Sequence, residues 1–483
     1  MEYISTAMDS LVWMTARELL LFAAIGILLI GLDDLLFDLM WLGTRRKRRA
    51  MAVHVGTDDL PGGLLSGRGV PDGALAIFLP AWDEHEILAD TLARMLAAWD
   101  GEDFCIYLGC YPNDERTILS VSHLVSADSR LRLVVADRDG PTTKGHNLNQ
   151  MWTALGVDER TTGQRYAGVI LHDAEDIVHP LELAVYRRML AAHSMVQIPV
   201  QAIIPDGGLW VSGHYADEFA EAHRKELPLR SALGLPIPSA GVGCALSRDA
   251  VTLLAMERDG LPFRPDSLTE DYEIGILIGT YGLSAAFVDA RGPDGSPIVS
   301  RGEFPNQLKA SVRQKARWVT GIALAGWGHL GWPPLPAVTA RSGKLATLLG
   351  HWMLWRDRRG PLAAVVILAG YVALALLLLH LAGREFLAWN DAGWGSAMTA
   401  LLTVNAVLLV WRLAWRMIFT AQVHGWRQGL CALPRALVAN MVAISASWQA
   451  VRNYIRMIRS GQVVWAKTHH GKKSGLAPMG EHI

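Results

Sequence analysis

The apolar run from Leu19 to about Gly43 is long enough to cross a bilayer, and Arg45-Arg46-Lys47-Arg48-Arg49 follows it at once. A chain with this segment must keep one helix in lipid, with the basic cluster holding the end of that helix in the cytoplasm and the N-terminus outside. A signal peptide would carry its charges before the apolar region and end in a small-residue cleavage site, so the segment reads as a retained anchor. Asp33, Asp34 and Asp38 lie deep in it. Carboxylates at that depth mark either a functional site or the cytoplasmic headgroup level, and the headgroup level is the simpler reading.

Two further spans follow late in the chain, Pro361 to about Ala382 and Ala397 to about Val410 with an amphipathic continuation. Gly383 to Ser396 carries little positive charge and reads as the outside loop, and Arg412, Arg416 and Arg427 return the chain to the cytoplasm. The last apolar stretch, Leu430 to Ala450, contains Pro434, Arg435, Asn440 and Gln449 and leads into a basic tail from Arg452 through Lys473. Three spans and a final interfacial or re-entrant helix are expected, with four spans as the alternative.

Composition agrees with a soluble domain set among membrane segments: 483 residues, half of them hydrophobic, with 18 tryptophans suited to membrane interfaces. The formal net charge of −1 gives no electrostatic case for nucleic acid as a partner. The four cysteines are scattered with no CxxC pair, which indicates neither a zinc site nor a disulfide framework.

Residues 51–74, rich in Gly, Pro and Asp, read as a linker. Four short apolar runs then alternate with helical patterns: Ala74–Pro80, Phe104–Cys110, Leu131–Ala136 and Ala167–Leu171. This alternation predicts an α/β domain over 75–300 with a mostly parallel sheet, which binds ligands beyond its strand C-termini. Each run delivers polar residues to that edge: Asp83 and Glu84 after Pro80, then Asn113 and Asp114, then Lys144, Asn147 and Asn149, and finally Asp173, Glu175 and Asp176. Carboxylates this crowded repel one another unless a cation sits among them, and hard cations such as Mg²⁺ or Mn²⁺ prefer oxygen ligands. A solvated loop or a helix N-terminus is the plainer alternative. If the strand pleat continues, Asp173 and Glu175 face one side, which favours Glu175 over Asp176 as the second ligand.

Pro80-Ala-Trp-Asp-Glu84, Lys144 with Asn147-Leu-Asn149, and Asp173-Ala-Glu-Asp176 resemble, in order and spacing, the nucleotide-sugar domain of family 2 glycosyltransferases. The resemblance implies a GT-A fold, a Rossmann-like sandwich, here inserted between transmembrane helices. Two positions depart from the family pattern: Asn113-Asp114 stands where an aspartate pair is usual, and Asp173-Ala-Glu175 where Asp-x-Asp is usual. The loop Gly241-Val-Gly243 resembles the segment beside which the acceptor sugar lies. Ser267-Leu-Thr269-Glu270-Asp271 reads locally as a capping box, Ser267 as N-cap and Glu270 at N3, opening a helix Tyr272 to Thr280. It also matches the family's Thr-Glu-Asp motif, which makes Asp271 the expected catalytic base beside Glu270.

Gln314-Lys-Ala-Arg317-Trp318 reads as the Gln-x-x-Arg-Trp signature of membrane-embedded sugar polymerases. On a helix the three residues share a face, so a guanidinium for pyrophosphate and an indole for a sugar ring reach one site. An amphipathic interfacial helix is the bland alternative, and the expected segment 301–360 serves as interface helix and connection. Trp355-Arg-Asp-Arg-Arg-Gly360, Trp465-Ala-Lys467-Thr468-His469 and Gly31-Leu-Asp33-Asp34 look like a narrower group of bacterial inner-membrane glycosyltransferases of the phage-adsorption-protein-B type. Relatives of that group often carry a C-terminal domain sensing cyclic di-GMP, for which residues 452–483 leave no room.

The implied function is inverting transfer of a hexosyl or N-acetylhexosaminyl group from a UDP-sugar to a growing polysaccharide, with Mg²⁺ or Mn²⁺ as cofactor and export across the membrane. The alternatives are single addition to a lipid-linked acceptor and a non-enzymatic receptor or export-complex subunit. Membrane lipids and an outer-membrane export protein are the further partners implied.

Overall fold

The computed structural model describes residues 2–56, 72–335, 343–387, 389 and 393–460. Trp465 to His469, residues 57–71 of the linker and the tail from 461 lie outside the described residues. Seven strands form the central sheet: β1 (Leu75–Pro80), β2 (Phe104–Cys110), β3 (Leu131–Val135), β4 (Gly168–Leu171), β5 (Met195–Gln197), β6 (Cys244–Ser247) and β7 (Ala285–Phe287). Their order is β3-β2-β1-β4-β6-β5-β7, parallel from β3 through β4, with β6 antiparallel to both β4 and β5. The α/β class is as expected, and the first four strands fall on the four apolar runs. The antiparallel insertion of β6 was not legible, because Cys244–Ser247 is too short for periodicity to separate strand from loop.

Alternation along the buried strands feeds two cores. Ile77, Leu79, Ile106 and Leu108 face Leu88, Leu92, Met95 and Trp99, while Ala76, Phe78 and Tyr107 face Leu148, Met151 and Leu155. With both faces covered, polar groups escape burial only at strand ends, where loops carry them.

Among the described residues four helices are long and apolar enough to cross a membrane: Ala7–Gly43 within the helix Glu2–Gly43, then Gly360–Leu387, Ser396–His424 and Trp426–Ser460. The last runs unbroken through Pro434, longer than the expected Leu430 to Ala450. One of its faces buries Ala432, Arg435, Ala446 and Ala450 against the globular domain, where Arg435 Nη2 donates to Asp217 Oδ1 at 2.8 Å and Thr320 Oγ1 reaches Ala450 O at 3.5 Å. Its opposite face exposes Leu437, Met441, Trp448 and Ile455. Protein along one side and apolar exposure along the other suits a lipid-facing span as well as a helix lying on a surface, so both the three-span and the four-span expectations stand.

The deep carboxylates of the first helix are ion-paired. Asp33 binds Arg356 and Arg359, and Asp34 binds Arg359 at 2.6 Å, Arg356 at 3.0 Å and Arg412. Asp38 meets Lys225 at 2.9 Å and accepts from Trp411 Nε1 at 2.9 Å. Asp357, between two of those arginines, accepts from Tyr272 Oη at 2.9 Å, so one segment clasps both the first helix and the helix carrying Asp271.

Candidate active site

The C-terminal edge of β1, β2 and β4 opens into a cavity of about 170 Å³. Beside it Asp83 turns the chain at φ 54°, a left-handed conformation that costs an L-residue about 1–2 kcal/mol. Asp114 Oδ2 holds that turn by accepting from Asp83 N at 2.6 Å, and its Oδ1 caps the helix Glu115–Ala127 at Thr117 N. Asn113 clamps Gly140 through both its amide nitrogen and its oxygen at 2.8 Å. Of this first group, Pro80 and Glu84 line the cavity; Asp83, Asn113 and Asp114 shape the loops around it.

Thr143 caps the helix Lys144–Thr162 through His146 N, which fixes Lys144 at the first turn. Lys144 Nζ reaches Asp173 Oδ1 at 2.6 Å and Gly241 O at 3.3 Å. Burial pulls its pKa down, but the charges of Asp173, Glu270 and Asp271 outweigh that and raise it, so the ammonium stays charged. Asn147 lines the cavity with its Oδ1 buried and lacking a partner among the described residues. Asn149 lies elsewhere: it exchanges two hydrogen bonds with the Phe263 backbone, at 2.6 and 3.1 Å.

Past Leu171 the chain turns, closed by Asp176 N donating to Asp173 O at 3.1 Å, and the pleat does not continue. Asp173 and Glu175 line the cavity from this turn. Asp176 lines it too but is 4 % exposed, its Oδ2 accepting from Asp173 N at 3.0 Å and meeting His172 Nδ1 at 2.9 Å. His172 Nε2 lies 2.9 Å from Glu182 Oε1, which accepts from Tyr186 Oη at 2.7 Å. Burial pulls this imidazole down, but Glu182 and Asp176 overcome it and take it up to about 10. A buried carboxylate–imidazolium–carboxylate chain therefore braces the turn. His172 carries no motif signal; only its place at the end of a buried strand could have suggested the role.

The expected capping box does not form. The helix is Glu270–Thr280 with Thr269 at N-cap and no side-chain cap, and Ser267 Oγ instead donates to Glu273 Oε1 at 2.6 Å. Glu270 and Asp271 thus occupy the first turn, where the positive helix end favours carboxylates. Burial, with repulsion from Asp271, pushes the Glu270 carboxyl up to about 7, and burial also raises Asp271 against the pull of Lys144 and Arg317. Gly241, at φ 76°, lies so close that a Cβ there would come within 2.3 Å of Asp271 Oδ2. Gly243 instead packs on Ser300 and Ile198, away from the cavity.

Gln314, Arg317 and Trp318 lie on the helix Leu308–Val319 and line the cavity together. The helix passes into a π-helical stretch, Thr320–Ala325, whose Gly321 packs on Thr269; a Cβ there would come within 2.5 Å of Thr269 Oγ1. Trp318 is held edge-on to Tyr215, with centroids 6.0 Å apart, and Gln314 Oε1 is buried without a hydrogen-bond partner among the described residues. Two aromatic residues outside the expected set also line the cavity, Trp82 and Tyr111, edge-on at 5.3 Å.

Seven carboxylates among the described residues line the cavity, Glu84, Asp173, Glu175, Asp176, Glu270, Asp271 and Glu303, against two cations, Lys144 and Arg317. Among the described residues no group of three or more His, Cys, Asp or Glu stands ready to chelate a metal. Mg²⁺, however, is held by one or two carboxylates together with substrate phosphates and water. The donors are hard oxygens and the local charge is strongly negative, so the residues present fit such a cation.

Residues 168–390 match the family described as "Glycosyl transferase family group 2", and the match takes in Asp173, Glu270, Asp271, Gln314 and Arg317. This stretch is similar to family 2 glycosyltransferase domains. The chain is 32% identical over 489 residues to bacteriophage adsorption protein B of Escherichia coli strain K12, and equally to bacteriophage N4 adsorption protein B of Escherichia coli O157:H7. The alignment covers 95% of this chain and 63% of each relative, so the chain spans less than two thirds of their length. Among solved structures, glucosyl-3-phosphoglycerate synthase from Mycobacterium tuberculosis with Mn²⁺, UDP-glucose and phosphoglyceric acid is 20% identical, over 53% of this chain and 80% of that one, with a TM-score of 0.32. Its UDP complex gives 20% identity, 55% and 84% coverage and a TM-score of 0.34.

Proposed function

We propose that the protein is an inverting glycosyltransferase of the bacterial inner membrane, its catalytic domain cytoplasmic, that adds sugar from a UDP-sugar to a growing β-linked polysaccharide. The observation that supports this reading is the convergence of Lys144, Asp173, Glu175, Asp271, Gln314, Arg317 and Trp318 on one cavity from four separate segments. In it, Asp271 accepts the proton of the attacking acceptor hydroxyl; its raised pKa makes it a stronger base than a solvated carboxylate. Gln314 Oε1 offers that hydroxyl an acceptor, and Trp318 offers the sugar ring an apolar face. Lys144 and Arg317 bring positive charge to the diphosphate, and Trp82 with Tyr111 flanks the nucleotide base. Asp173 and Glu175 would hold Mg²⁺ or Mn²⁺, since Asp176 Oδ2 is already engaged in bracing the turn. When bound, the cation neutralises charge on the departing diphosphate.

The test is to incubate membranes containing the protein with labelled UDP-sugars and Mg²⁺ or Mn²⁺, and to size the product. A long labelled glycan, lost with EDTA and restored by excess cation, is expected. A single sugar on lipid would replace polymerisation with single addition, and no transfer from any UDP-sugar despite UDP binding would leave a non-enzymatic role.

A further inference from the structure

Where the first membrane helix ends, the chain turns at Thr44 into the short basic helix Arg45–Ala50. A cavity of about 490 Å³ opens there, between this turn, the π-helical segment Ala222–Glu226 and the end of the helix Ser396–His424. Among the described residues it shares no lining residue with the candidate active-site cavity. One wall is aromatic: Trp41 meets Trp415 edge-on at 5.2 Å and Phe419 at 5.3 Å, and Trp415 stacks on Phe419. The rest carries the guanidinium groups of Arg45, Arg48, Arg49 and Arg224.

These charges are poorly matched. Among the described residues Asp289 is the one carboxylate lining the cavity, and it lies 3.2 Å from Arg224. Arg48 donates to Trp41 O at 2.9 Å and Thr44 Oγ1 at 3.3 Å and sits 4.2 Å over the Trp41 ring. Burial, with the Arg45 charge beside it, pushes Arg48 down to about 10, the mark of a cation short of an anion. Burial also lowers His223 to about 4, so this histidine adds no charge at neutral pH. Among the described residues, neither Arg45 nor Arg49 pairs with a carboxylate.

We propose that this cavity binds the phosphate of an anionic membrane lipid. The location favours a lipid over a soluble phosphate: the cavity sits at the ends of two membrane helices, and exposed Leu42 and Ile418 continue it onto their apolar surfaces. Arginines beside a membrane attract anionic headgroups, and tryptophans there suit the glycerol level. Arginine forks bind phosphate oxygens two at a time, which turns general attraction into a site.

The experiment is native mass spectrometry of the full chain in detergent, titrated with phosphatidylglycerol or phosphatidylcholine. Wild type should retain phosphatidylglycerol selectively, and Arg45→Glu with Arg49→Glu should weaken it by about tenfold or more. Arg46→Glu makes a charge reversal in the same cluster but outside the cavity, and should leave binding within about twofold. Equal retention of phosphatidylcholine, an unchanged double variant, or equal loss in Arg46→Glu would overturn the site. Displacement of phosphatidylglycerol by millimolar inorganic phosphate would overturn the lipid assignment and make a soluble phosphate the ligand. Because all four arms read lipid binding, the outcome is independent of whether the catalytic reading stands.

Discussion

The candidate active-site cavity and the membrane-facing ion pairs both collect carboxylates out of bulk water, yet they are built oppositely. Against the globular domain, Asp33, Asp34, Asp38 and Asp217 each meet at least one arginine or lysine, and Arg435 with Asp217 is wholly buried. In the cavity, seven carboxylates face two cations, and Glu270 is raised to about 7 rather than neutralised by a partner. Charge matched within the protein holds helices together. Charge left unmatched is held ready for a ligand, and the surrounding fold must offset its repulsion.

Substitution at the two regions should therefore fail in different ways. The largest effect is expected from Asp271→Asn, with kcat down about 10³-fold, as for loss of a general base, and UDP-sugar affinity by calorimetry nearly unchanged. Wild-type turnover would remove Asp271 from its role. Arg435→Met should instead lower stability by about 3 kcal/mol, while the surviving folded fraction keeps its turnover. It removes the direct ion pair of the buried Asp217 and leaves it Thr420 and the more distant Arg416 at 3.8 Å. Thermal unfolding alongside activity per folded molecule separates the two, and lost turnover without lost stability would erase the contrast. The smallest effect concerns pH. Deprotonating the Glu270–Asp271 pair should activate the enzyme, so activity rises with pH through the titration of the pair. Glu270→Gln removes a neighbouring negative charge, lowers the Asp271 pKa and moves the acid limb of the kcat profile to lower pH. An unmoved limb would show that the two carboxylates do not interact.

Much of the framework was legible because it rests on local pattern. The four apolar runs marked β1 to β4, and the spacing of Gln314, Arg317 and Trp318 placed them on one helix face. The misses share a cause. Asn149 and Gly243 sit in motifs whose members two positions earlier, Asn147 and Gly241, border the cavity or Asp271, and nothing in a spacing says which of the two the backbone turns inward. Ser267 fits a capping box, yet its hydroxyl found Glu273, whose other partner is His329, 56 residues along the chain. His172 and the Trp82–Tyr111 pair depend on partners from other segments.

The sequence by itself determined the long apolar helices, the strand runs and the supply of carboxylates and cations, because these follow from hydrophobic length, short-range periodicity and residue type. It did not determine whether the last of those helices spans. Tertiary structure decided which charges are matched. Asp33, Asp34 and Asp173 are equally acidic as letters, but the first two meet arginines more than 300 residues away and the third faces an open cavity beside Lys144. Coulomb energy depends on distance through space and on the local dielectric, and neither quantity is written along the chain.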